Sequence, residues 1–169
     1  MILKKLNKNI IINFLIVFLI FLVDRFSKIY VIYLDKKLSG TELLSTDFLN
    51  IKLYWNQGIA FGLFSFEKSL LYNFMTVIIF IIVLVIAFMS IKSIGIRKYA
   101  LLMILGGAIG NLFDRIKFKA VPDFIDLHVG NFHWFIFNFA DVFISVGVFF
   151  MILFEFVGNN ENKSEDEKY

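Results

Sequence analysis

The chain has 169 residues, 59% of them hydrophobic, with 23 Phe, a single Pro and a formal net charge of +3. That balance is too apolar for a water-soluble domain of this size and indicates an integral membrane protein. Cys is absent, which excludes disulfides, thiolate nucleophiles and Cys-ligated metals, and Lys and Arg are spread along the chain rather than gathered on one face, which argues against a nucleic-acid partner.

Four hydrophobic segments are each close to the roughly 20 residues that cross a bilayer. They run from Ile10 to Leu34, Leu70 to Ser90, Tyr99 to Phe113 and Phe135 to Val157. The first follows Lys4, Lys5 and Lys8 like a secretory signal, but its apolar run ends at Asp24-Arg25-Phe26 rather than at small residues, so an uncleaved anchor is expected. The N-terminal arm and the link Lys92 to Lys98 carry bases and no acid, whereas the link 35–69 balances the two. Both termini are therefore expected in the cytoplasm, with links 35–69 and 114–134 outside. The tail 158–169, GNNENKSEDEKY, is polar and charged and is expected to be disordered.

The second span has no charge and reads as scaffold; the other three carry ionisable residues. At about 1.5 Å of rise per residue, Asp24 lies about 21 Å along a core roughly 30 Å thick, and Arg115 and Asp141 fall at a similar level. Three helices thus deliver charge to the outer third of the bilayer, where an ionisable group is costly and points to a polar site. Asp24 and Lys28, four apart, share a helical face, as do Asn111 and Arg115. Asn138, Asp141 and Ser145 form a polar stripe on the last span. Helix pairing through polar side chains is the plainer reading of Asp24 and Lys28. It fits Asp141 less well, because no base follows it in its own span.

Gly106 and Gly110 form a G-x-x-x-G pattern that permits close helix packing. Beyond them, Pro122 directly precedes Asp123, so the chain there is expected to be extended or turning, with Asp123 projecting from a returning loop. Asp126 is expected to face water or cap local structure. Residues 50–53 alternate as a short strand does, and Asn56-Gln57-Gly58 supplies turn chemistry. Trp55 and Trp134 read as interfacial aromatics. His128 and His133 read as interfacial or surface histidines in a loop; no H-E-x-x-H occurs, and no metal is expected.

DRFSK, NQGIAFG, GGAIGNLFDR, VPDFID and FNFAD, in that order, resemble the motifs of the lipoprotein signal peptidases, or signal peptidase II, across nearly the whole chain. The resemblance implies an all-α polytopic membrane protein, a single domain over 1–157 with four transmembrane helices and a small extracytoplasmic β-containing segment between helices 1 and 2. It implies an aspartic endopeptidase of the bacterial cytoplasmic membrane that needs no cofactor. Its substrates would be diacylglyceryl-modified prolipoproteins, cut just before the lipidated cysteine, with membrane lipid as surroundings and a monomer as the working unit. The family's catalytic aspartates match Asp123 and Asp141. Its other motif positions fall on Asp24, Lys28, Asn56, Gly58, Gly107, Asn111, Arg115 and Asn138. One departure is Ala120, where the family commonly has Gly upstream of the first aspartate. An ion or proton transporter and a non-catalytic assembly factor are the alternatives that intramembrane acids alone would allow.

Overall fold

The computed structural model describes residues 2–58 and 68–166; Ile59 to Gly62 of the NQGIAFG motif lie outside them. Four helices follow the hydrophobic segments: α1 Ile2–Lys37, α2 Lys68–Lys92, α3 Gly95–Phe118 and α4 Phe139–Asp166. Each contains a stretch long and apolar enough to cross a membrane. Only Ser93 and Ile94 separate α2 from α3, so the helices run up and down, and the two long links emerge at the same end of the bundle.

Those links fold together. Strands β1 Leu44–Ser45 and β2 Leu49–Asn56 come from the first, β3 Val121–Val129 and β4 Phe132–Phe137 from the second, in one antiparallel sheet of order β1-β2-β3-β4. The β segment expected between helices 1 and 2 is present, and the second link adds two further strands to it. Pairing across links explains it: Tyr54 lies opposite Asp123 and Asn56 opposite Val121, a partner that no local pattern in either link announces. Pro122 is tolerated as the second residue of β3, where β4 does not reach.

Several expected boundaries move for the same reason. The apolar run Phe135–Phe137 belongs to β4, so the last helix starts at Phe139 and Asp141 is its third residue. Asp114 and Arg115, placed in the second link by the sequence, are inside α3. Helix α4 continues to Asp166, where a disordered tail was expected; no Pro interrupts residues 158–166, and a helix already nucleated extends at little cost. Asp123 lies in a strand rather than a loop. Asp126 is 1% exposed rather than facing water, and His128 is buried rather than on the surface.

Helix α3 is the centre of the bundle: 67% of its most apolar stretch is buried, against 11% in each of the other spans. Leu105 and Leu112 of α3 pack with Val83 of α2, flanked by Val17, Ile79 and Ile86. Two faces of α3 are kept bare by glycine. A Cβ on Gly106 would meet the Ile20 side chain of α1 at 2.8 Å, and one on Gly107 would run into the Ala140 carbonyl oxygen of α4. The packing expected of G-x-x-x-G therefore applies, but the glycines serve two partners: Gly106 admits α1 and Gly107 admits α4.

Candidate active site

Asn138 is the residue before α4, and its backbone carbonyl accepts the first helical bond, from Val142 N–H at 3.2 Å. Its side-chain Oδ1 accepts from Asp141 N–H (3.2 Å), and Asp141 Oδ2 accepts from Asn138 N–H (3.1 Å). This is a reciprocal capping box with Asn and Asp in the two roles. The intervening Ala140 N–H donates to Asp24 Oδ1 of α1 at 3.1 Å. A helix start is rich in orphan donors and carries partial positive charge; here two carboxylates from two helices meet it.

Asn138 also reaches β3. Its Nδ2 donates to Asp123 Oδ1 (2.6 Å) and to Asn111 Oδ1 (3.2 Å). Asn111 Nδ2 in turn donates to Asp141 Oδ1 at 2.7 Å. The other Asp123 oxygen accepts from Asn56 Nδ2 at 2.9 Å. Asn56 is oriented by Gly58, whose N–H donates to Asn56 Oδ1 at 2.7 Å. Gly58 adopts φ +71, a conformation that costs a residue with a Cβ about 1 kcal/mol or more. Asp123 and Asp141 thus sit on either side of Asn138, each held by amides, and neither has a Lys or Arg salt bridge among the described residues.

Both carboxyls line one cavity of about 540 Å³, whose wall also includes Asn56, Phe135, Phe137, Val142 and Ser145. Asp123 is 3% exposed, and this burial pushes its carboxyl above the usual range; the hydrogen bonds from Asn56 and Asn138 oppose the shift, and the nearby charge of Asp141 adds to it.

A second polar cluster lies behind the first. Lys28 Nζ donates to Asp24 (2.9 Å), Asn111 Oδ1 (2.9 Å) and Asp114 (2.7 Å), using its three hydrogens. Asp114 also accepts from Arg25 Nη1 at 2.5 Å. Asp24, Lys28 and Asp114 are fully buried, and two cations balance two anions. Asn111 joins the clusters: Lys28 fixes its carbonyl, which turns its amide nitrogen toward Asp141.

Of the residues singled out in the sequence, Asp24, Lys28, Asn56, Gly58, Asn111, Asn138, Asp123 and Asp141 form this connected network. Gly107 contributes by letting α4 approach α3. Arg115 is not brought to the pair: its Nη1 donates to Asn111 O of its own helix at 3.2 Å, and its backbone carbonyl accepts from Tyr72. Ala120 is not among the residues with positive φ; the left-handed position at the end of α3 is Lys119. Two residues were missed: Asp114 and Arg25, which complete the charge balance. Gly110, read as a packing glycine, also makes room for the acid of α1, since a Cβ there would meet Asp24 Oδ2 at 2.5 Å. The signal for Asp114 was present: Arg25-Lys28 and Asn111-Asp114 each repeat at three residues, so two helices offer matching polar faces.

The family model for Signal peptidase (SPase) II matches residues 16–157. The lipoprotein signal peptidase of Pelagibacter ubique is 47% identical over 163 residues, covering 96% of this chain and 98% of its own. That of Anaplasma phagocytophilum is 37% identical over 146 residues, covering 86% and 92%. Among solved structures, a bacterial membrane enzyme determined by the in meso method at 2.3 Å resolution superposes with a TM-score of 0.69 at 27% identity, covering 89% of this chain and 90% of that one. With a family match over most of its length and relatives well above 30% identity on nearly full coverage, this chain belongs to the signal peptidase II family, the lipoprotein signal peptidases.

Proposed function

We propose that Asp123 and Asp141 are the catalytic pair with which this membrane peptidase removes signal peptides from diacylglyceryl-modified prolipoproteins, cutting before the lipidated cysteine. The observation that carries the assignment is the placement of two carboxyls, from β3 and from the first turn of α4, on one cavity wall, held by amides and, among the described residues, without a Lys or Arg salt bridge. Two nearby carboxyls without a cation do not both ionise readily, so one proton is shared by the pair. Burial favours Asp123 as its holder at rest.

Asp141, at the positive end of α4, takes a proton from a water that attacks the scissile carbonyl, while Asp123 hydrogen-bonds the carbonyl oxygen and passes it a proton. Collapse of the tetrahedral intermediate returns a proton to the leaving amine. Asn138 keeps the two carboxyls in register throughout, because it bonds both. The cavity's apolar wall of Phe135, Phe137 and Val142 suits the substrate's signal segment, and the lipid on the substrate stays in the bilayer alongside.

In this reading the sheet end of the bundle faces outward from the cytoplasmic membrane, both termini are cytoplasmic, and the protein works as a monomer. The asymmetry of basic residues supports the orientation: Lys92, Arg97 and Lys98 sit at the opposite end, near the N-terminal arm. Single cysteines test it in a chain that has none. Thr41→Cys should react with a membrane-impermeant maleimide in intact cells, and Ser164→Cys should react only after permeabilisation.

The catalytic assignment is tested by cleavage of a lipidated prolipoprotein by the purified protein in detergent, beside Asp123→Asn and Asp141→Asn. Folded, inactive variants are expected in both cases. A variant that still cuts at a comparable rate removes its aspartate from the mechanism.

A further inference from the structure

Away from the catalytic pair, β3 and β4 bring together three side chains with metal-ligating atoms: Asp126, His128 and His133, one atom from each lying within 4.8 Å of the others. Phe124, Asp126 and His128 alternate along β3 and are all buried, so they lie on the face opposite Asp123. His133 is directly opposite His128 across the ladder. The two imidazoles stack with centroids 5.1 Å apart, and His133 Nδ1 is 2.9 Å from both oxygens of Asp126.

One atom in this cluster lacks a partner. His128 is 8% exposed, and its Nδ1 is buried without a hydrogen bond among the described residues. A buried polar atom left unpaired costs free energy, and this one stands in a group whose other members are a carboxylate and an imidazole.

We propose that Asp126, His128 and His133 bind a divalent transition-metal ion of the zinc class. Two neutral imidazoles and one carboxylate are a three-ligand set that Zn²⁺ accepts, with water completing the coordination. Ligands about 2.0–2.1 Å from a tetrahedral ion lie about 3.4 Å apart, so a pair at the 4.8 Å limit must close by about 1.4 Å. His133 can supply that movement, since 49% of its side chain is exposed and, among the described residues, its only side-chain hydrogen bonds go to Asp126. The ion would tie β3 to β4 beside the turn at Gly130. It plays no part in the peptidase step, because its ligands face away from Asp123.

The test is isothermal titration of the full chain, in detergent and without a histidine tag, with Zn²⁺ alone after chelator treatment. The expected result is one ion per chain and a higher Tm in its presence. His133→Ala and Asp126→Asn should each weaken binding by at least about tenfold and abolish the Tm shift, with prolipoprotein cleavage unchanged. His133 is half-exposed, so that variant keeps its fold and carries the test even if the buried Asp126→Asn does not fold. Absence of saturable binding up to about 100 µM, a concentration that would fill even a weak site, overturns the proposal. So does undiminished binding and Tm shift in His133→Ala, which would put the ion elsewhere.

Discussion

Two regions of this protein each hold a pair of buried or half-buried aspartates within reach of Asn111, and they are treated oppositely. Asp24 and Asp114 face Lys28 and Arg25 in a cluster whose charges sum to zero and which lines no part of the 540 Å³ cavity. Among the described residues, Asp123 and Asp141 receive only amide and backbone N–H donors, and they open on that cavity. A cation fixes a carboxylate in one ionisation state; an amide orients it while leaving the proton exchangeable. The first arrangement suits a brace and the second suits acid-base chemistry, though both are made of aspartates in apolar helical surroundings.

The sharpest way to break this comparison is to neutralise one member at each site without changing its shape. Asp123→Asn and Asp141→Asn should each lower cleavage by about 10³-fold or more, the scale on which a positioned acid or base contributes, while the Tm and the detergent gel-filtration profile stay near those of the wild type. Lys28→Met should do the reverse in kind. It leaves Asp24 and Asp114 buried with one cation between them, and removing one partner of a buried pair costs about 3–5 kcal/mol. Thermal melting should show that loss directly, and cleavage should fall mainly with the folded fraction, with a smaller further loss because Lys28 also orients the Asn111 amide toward Asp141. An equal Tm loss for Asp141→Asn and Lys28→Met would erase the distinction.

How much of this was legible in the sequence depends on the range of the interaction. The four spans, the Asp24–Lys28 pair and the polar stripe Asn138-Asp141 follow from local periodicity, because helical neighbours three and four apart are fixed by the chain itself. What joins β2 to β3 is not local: Asn56 and Asp123 are 67 positions apart, and neither link has a pattern that names the other. The same blindness placed Phe135–Phe137 in a span, since an apolar strand and the edge of a membrane helix look alike over three residues. Arg115 shares a face with Asn111, as expected, and at the end of α3 its guanidinium bonds the Asn111 backbone carbonyl of its own helix.

Smaller changes sharpen the boundary between the two regions. Gly107→Ala puts a methyl against the Ala140 carbonyl, one residue from Asp141. Overpacking of this kind costs about 1–3 kcal/mol; because the clash displaces the start of α4, cleavage should fall further than the lost stability alone explains, which kcat measured below the melting range will separate. Asn138→Ala removes a helix cap worth about 1 kcal/mol and also the side-chain amide that bonds the Asp123 carboxyl, while the backbone N–H that bonds Asp141 stays. Its Tm should drop modestly and its kcat markedly, with KM little changed.

The mildest perturbation acts on the proton itself. Burial raises the Asp123 carboxyl, and the Asn56 amide partly restores it by favouring the anion. If Asp123 must be protonated to act on the carbonyl oxygen, activity is present below its raised pKa and is lost as pH rises through it. Replacing Asn56 with Leu takes away a donor that stabilises the anion, so the proton is held more tightly and the alkaline limb of kcat should move to higher pH. Stability moves the same way: the raised group favours the folded state at low pH, and that contribution disappears as pH climbs past the folded pKa. A general base at Asp123 would give the opposite signature, with the acid limb moving upward and the alkaline limb unmoved. The pH profile of a single exposed amide variant therefore separates the two assignments of the pair, which the inactive Asn variants at 123 and 141 cannot do.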